Sequence, residues 1–148
     1  MSEDCAGRPR AQAHAIVEAG VLGLAAAVRA GRMSARDAVD CYLGRIARHG
    51  SELGAFLAVS DTAARDAAAS LDRRRRQGAP LGALAGVPFA VKDNLDVAGL
   101  PASAGIVALR GTMPEHDAVG RRDNGRATGG HSQRCRDERD RAKSGHAS

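Results

Sequence analysis

Residues 84–105 read LAGVPFAVKDNLDVAGLPASAG, and the order of residue types in this stretch decides the fold class. Val87, Phe89 and Val91 alternate with Pro88, Ala90 and Lys92, the two-residue period of a strand with one face buried. Pro88 has no amide hydrogen to give to a ladder, so it belongs at the strand start or at an edge. Lys92 closes the apolar run and is followed by the polar pair Asp93-Asn94 and a Gly99-Leu100-Pro101 turn. That order sets an amine at the mouth of a buried element. A lysine in water has a pKa of about 10.4 and is a poor base at neutral pH, but burial penalises its charged form.

On either side, the chain alternates apolar elements with turn residues. Upstream, Ile16, Val17, Val21, Leu24 and Val28 recur at helical spacing, and Gly31 supplies a stop. Ser34-Ala-Arg-Asp37 reads as a capping box, opening a second helix striped by Ala38, Val39, Tyr42, Leu43 and Ile46 and ending near Gly50. The two helices are expected to form an antiparallel hairpin. Residues 55–59 are a strand-like apolar run. Asp61 caps a third, Ala-rich helix through about Gln77, whose basic run Arg73–Arg76 suits the negative helix end. Residues 104–109 read as another short apolar segment. Residues 1–13, polar or small, read as a flexible N-terminus.

After Val119 this grammar stops. Residues 120–148 contain no Val, Ile, Leu, Met, Phe, Tyr or Trp, so nothing offsets the entropy of ordering them, and a disordered basic tail is expected. The tail holds eight Arg/Lys against four Asp/Glu, which accounts for +4 of the chain's formal +5. The body is nearly neutral, and the high pI of about 9.8 is mostly a property of the tail. The tail as a basic arm for nucleic acid is weakened by its acids and its lack of aromatic residues.

With 148 residues the chain has room for one small domain, and Tyr42, Phe56 and Phe89 are its whole aromatic inventory. Cys5, Cys41 and Cys135 are odd in number and widely spaced, which fits a reducing cytosol rather than a disulfide framework. Cys41 reads as a small core residue. The start carries Glu3 and Asp4 without an apolar core, so no signal peptide is read, and the longest apolar run, residues 21–28, is broken by Gly23 and too short to span a bilayer. A cytoplasmic protein is expected. His131 and Cys135, with His116 or His146, lack the spacing of a zinc site, and the glycines of residues 78–86 lack the G-K-[ST] of a phosphate loop.

The segment Gly86-Val-Pro-Phe-Ala-Val-Lys92-Asp-Asn94, with Gly99 and Ala102-Ser-Ala-Gly105, resembles the lysine segment of the amidase-signature hydrolases. The resemblance spans about residues 20–119. Pro114-Glu-His-Asp117-Ala118 is similar to the lead-in to that family's next helix, while Ile106 and Ala102 depart from a common serine and threonine. The resemblance implies an α/β fold: the N-terminal fragment of an α/β/α architecture with a central mixed sheet, residues 14–119 being a truncated amidase-signature domain. It further implies a small-molecule amide substrate, C–N bond hydrolysis without metal or organic cofactor, and Lys92 as the base of a serine–cis-serine–lysine arrangement. The wording PFAVKDNLDVAGLP leans toward a small-molecule amidase or an allophanate-hydrolase-like enzyme over a component of a tRNA-dependent amidotransferase.

The family's two serines lie in a Gly/Ser-rich signature downstream of the lysine, and no such stretch follows Lys92 here. Thr128-Gly-Gly-His-Ser132 has one serine and no second to bridge it. The expected reading is a chain inactive alone, and the switch at Val119/Gly120 is what a reading-frame change in a GC-rich gene produces. A non-catalytic module stays open beside it, one that self-associates or complements a partner chain.

Overall fold

The computed structural model describes residues 3–5, 8–118 and 132–135, with side chains from residue 14 to residue 118. Two short strands, β1 (Glu3–Cys5) and β2 (Arg8–Pro9), pair antiparallel ahead of helix α1 (Arg10–Glu18). The expected flexible N-terminus is therefore structured where it is described. The sequence Arg10-Ala-Gln-Ala13 consists of good helix formers, so the helix extends back beyond Ile16, its first strongly apolar residue.

The single helix expected up to Gly31 is two. Gly20 adopts φ +62 and separates α1 from α2 (Gly20–Arg29). The break leaves Val21 and Leu22 exposed while Leu24 and Val28 stay buried. Gly31, at φ +72, follows the second helix as anticipated.

Helix α3 (Ala35–Leu53) opens on the expected cap, Ser34 Oγ accepting from the Asp37 N–H at 2.9 Å. It runs past Gly50 to Gly54, whose N–H still donates to the Gly50 carbonyl and whose left-handed φ of 57 then turns the chain out of the helix. Helix α4 (Asp61–Arg76) follows strand β3 (Phe56–Val59). Helix α3 packs more extensively along α4 than along α2, so the expected hairpin is not the dominant pairing. The reason is side-chain size: Ala35, Ala38, Ala64 and Ala68 are all buried, and their small side chains let the helices approach closely.

A second tie comes from a charge. Asp72, buried on α4, accepts from the Ala35 N–H at 2.9 Å and the Arg36 N–H at 3.1 Å, serving two first-turn amides of α3. On the solvent side, Asp40 accepts from Arg36 Nε at 2.9 Å and from Arg65 Nε at 2.8 Å, which links the same two helices.

Strand β4 (Phe89–Lys92) follows the core lead-in Ala85-Gly86-Val87. Gly86 has φ +79, and a Cβ there would meet the Val28 methyls at 2.9 Å, so glycine is what lets the strand start against α2. The sheet has the order β3-β5-β4, where β5 is Ser132–Cys135. It is mixed: β5 runs antiparallel to β3 and parallel to β4.

Within the segment expected to be a disordered tail, the four residues Ser132–Cys135 are described as a strand. A ladder is made by backbone groups and needs no apolar side chain, and β3 and β4 offer two such edges. Residues 119–131 and 136–148 lie outside the described residues.

Candidate functional site

Lys92 ends β4, and the alternation read from the sequence holds: Val91 is 5% exposed, while Ala90 and Lys92 are exposed. The desolvation argued for the lysine is thus not supplied by the described residues.

Asp93, next in the chain, turns inward and is 1% exposed. Its Oδ1 accepts from the Ser103 N–H at 3.1 Å. Its Oδ2 accepts from Ser103 Oγ at 2.5 Å and from the Gly105 N–H at 3.4 Å. Ser103 Oγ also accepts from the Gly105 N–H at 3.3 Å. Between these anchors, Ala104 takes φ +49, a left-handed conformation that a residue with a Cβ adopts only when its surroundings hold it there. One buried carboxylate therefore locks the Ala-Ser-Ala-Gly loop to the residue after the lysine.

The rest of the segment folds back on the same strand end. Gly99 donates to the Pro114 carbonyl at 3.1 Å, Ala98 to Asp117 Oδ1 at 2.9 Å, and Ala118 to the Asp96 carbonyl at 2.9 Å. A bridge joins Ala102 to Thr112. The structure therefore makes one unit of residues 84–105 and 114–118, which in the sequence are joined by resemblance alone. Residues 104–109 are not a core element: a single 3-10 turn, Val107–Leu109, leaves Ile106, Val107 and Leu109 exposed.

Beside this unit lies an open cleft of about 560 Å³, lined by Tyr42, Arg45, Ile46, His49 and Leu53 of α3, by Phe56 of β3, and by Pro88, Phe89 and Ala90 at the start of β4. Lys92 lies on the Pro88–Ala90 face of the strand, two residues farther along. Burial pushes the Tyr42 phenol above its ordinary value of 10.0, so at neutral pH it stays a neutral hydroxyl. Cys41 is fully buried in the core. The side chains of His131 and Cys135 lie outside those described.

Two acids do work that sequence reading misses. Asp93 reads only as a polar flank of the lysine, and Asp72 as one more charge on an Ala-rich helix. Asp72 precedes the basic run Arg73–Arg76 and Asp93 lies between Lys92 and Asn94, so no local signal sets either apart, and only the fold brings the start of α3 and Ser103 to them.

The comparisons with known proteins agree on the class to which this fold belongs. The Amidase family profile matches residues 37–122. Among curated proteins, the chain is 44% identical over 96 residues to a glutamyl-tRNA(Gln) amidotransferase subunit of Salinispora arenicola, a match covering 65% of this chain and 20% of that protein. A second, at 38% over 99 residues, is the same subunit of Myxococcus xanthus, covering 67% of this chain and 20% of that protein.

Among solved structures, the peptide amidase of Stenotrophomonas maltophilia is 33% identical with a TM-score of 0.66, over 78% of this chain and 23% of that one. An amidase family protein of Bacillus anthracis is 25% identical with a TM-score of 0.74, over 85% of this chain and 25% of that one.

The chain belongs to the amidase family. It spans about a fifth of the length of these curated relatives and about a quarter of the solved ones. Among the described residues, no helix is long and apolar enough to cross a membrane.

Proposed function

We propose that this chain is the lysine-bearing front portion of an amide hydrolase, with Lys92 as its proton acceptor and with the nucleophile supplied from outside these 148 residues. The observation that carries the reading is the strand-end Lys92 on a loop clamped by Asp93, within the stretch that matches the family.

In the proposed reaction, the Lys92 amine takes a proton from a bridging serine, which in turn accepts one from the nucleophilic serine. The nucleophile bonds to the amide carbon, and the C–N bond breaks as the departing nitrogen receives a proton. Water then adds to the acyl ester, releasing the acid and restoring the serine. The amine must be neutral for the first transfer, so the site works only once Lys92 is covered and dried. The exposure of Lys92 in this chain supports the view that the covering residues come with the nucleophile.

The relatives support an amide as the substrate class. One is named for tRNA-linked amidotransfer and another for peptide amides, and C–N amide chemistry is what they share. The reaction is therefore proposed for an amide, with the acyl group left open.

The test supplies the nucleophile. The 148-residue chain is co-expressed with the serine-bearing remainder of a peptide amidase relative, and ammonia release from a primary amide is followed. The chain alone is expected to show no hydrolysis, the pair to hydrolyse the amide, and Lys92→Met to remove that activity. Hydrolysis by the chain alone, or by the pair with Lys92→Met, would sink the reading.

A further inference from the structure

The chain has only three aromatic side chains, Tyr42, Phe56 and Phe89, and all three stand around one opening, the cleft between α3 and the starts of β3 and β4. Aromatic rings ordinarily supply much of the area a core buries. Here the buried apolar residues are Ala, Val, Leu and Ile with Cys41, and the three rings are left half-buried on the cleft walls. A cavity of about 560 Å³ walled by aromatic and aliphatic side chains, with a few polar groups converging on it, has the size and lining of a small-molecule site.

The polar groups at the cleft select the charge of its ligand. Tyr42, Arg45 and His49 follow one another at spacings of three and four along α3, so they share one face of the helix. Arg45 and His49 are one turn apart, and no Asp or Glu lines the cleft. Among the described residues, Arg45, His49 and the Tyr42 hydroxyl are engaged in no hydrogen bond or ion pair. Aromatic faces alone would suit a cation. A guanidinium beside them with no carboxylate in reach of the ligand reverses that preference, because like charge is repelled and an anion is drawn in. The planar fork of Arg45 matches the two oxygens of a carboxylate, and the Tyr42 hydroxyl and a His49 N–H are further donors.

We propose that this cleft binds a small aryl carboxylate, its ring packed among Tyr42, Phe56 and Phe89 and its carboxylate held by Arg45 with His49 beside it. A flat ring gains from offset and edge-to-face contacts with the cleft aromatics beyond the area it buries, which an alkyl chain does not. The proposal rests on the lining of the cleft and the face of α3, and it holds or fails independently of whether Lys92 takes part in hydrolysis.

The test uses the full 148-residue chain and four probes of similar apolar size: 1-naphthylacetate, the neutral 2-(1-naphthyl)ethanol, the cationic (1-naphthylmethyl)trimethylammonium, and octanoate. Affinity is read by titration calorimetry, and chemical-shift changes at Tyr42, Phe56 and Phe89 locate the binding. Naphthylacetate is expected to bind about tenfold more tightly than the alcohol, and the ammonium compound more weakly than either. Octanoate should bind several-fold more weakly than naphthylacetate. Arg45 is exposed, so Arg45→Met keeps the helix and the apolar stem while removing the charge. It should bring naphthylacetate down to the level of the alcohol and leave the alcohol unchanged. Arg73→Met, an equal loss of charge at an exposed position of α4 outside the cleft, should change neither.

That pattern, with shifts at the three aromatic residues, supports the site. The proposal is overturned if naphthylacetate fails to bind, if it shifts residues elsewhere, or if the alcohol, the ammonium compound or octanoate binds as well as it does. It is also overturned if Arg45→Met retains the preference for the acid, or if Arg73→Met weakens the acid as much as Arg45→Met.

Discussion

At the scale of single residues, Asp93 organises the site. A buried carboxylate is tolerated only where hydrogen bonds replace its water, and Asp93 has donors from Ser103 and Gly105 to do so. Removing the acceptor and removing one donor should therefore differ. Asp93→Ala leaves the loop amides unpaired and is expected to cost about 2–3 kcal/mol, whereas Ser103→Ala removes one hydroxyl and should cost about 1 kcal/mol. Urea unfolding gives the totals, and hydrogen exchange at Ser103 and Gly105 should accelerate in Asp93→Ala before the rest of the chain opens. Equal costs, or unchanged exchange in the loop, would show that the carboxylate does not hold it. The part of the site legible in the sequence is Lys92 and its flanks, because period-2 alternation places a strand end without any tertiary information. The clamp is not legible, since Asp93 and its partners lie 10 to 12 positions apart and are brought together only by the turn between them.

Among the elements, α3 shows how a local signal and a distant one share one task. Ser34 caps the helix from its own sequence, and the capping box announces it. Asp72 serves the neighbouring amides from α4, and nothing near residue 72 announces that. Both act on the same helix end, so their effects should overlap rather than add. Ser34→Ala is expected to cost about 1 kcal/mol and Asp72→Ala about 2 kcal/mol, because Asp72 supplies two bonds in a buried position and also joins the helices. Thermal unfolding of the singles and the double variant measures the coupling. Strict additivity would mean that the hydroxyl and the carboxylate act on separate parts of the fold. The same scale explains the break between α1 and α2. Apolar spacing predicts one continuous helix through residues 16–28, but spacing records which residues are apolar and not where the axis turns; Gly20 permits that turn, and packing of Leu24 and Val28 decides it.

For the molecule as a whole, the question is what stays uncovered. Small alanine-rich contacts close the core between α2, α3 and α4, but the cleft beside β4 is open, and Leu53, Leu57, Ile106 and Met113 are exposed. Apolar surface left in water binds amphipathic dyes and promotes association. The full chain is expected to raise ANS fluorescence well above that of a closed globular protein and to sediment as larger species with rising concentration. A chain that leaves ANS dark and stays monomeric would mean the cleft closes in solution. The sequence by itself determined the α/β class, the strand ending at Lys92, the cap of α3 and the family likeness, because periodicity, caps and short motifs are local. The tertiary structure alone decided that Lys92 is exposed, that Asp93 and Asp72 are buried anchors, and that the four tail residues Ser132–Cys135 sit between β3 and β4. Those outcomes depend on which backbone edges and helix ends meet, and burial at a residue is set by what lies across from it, not beside it in the chain.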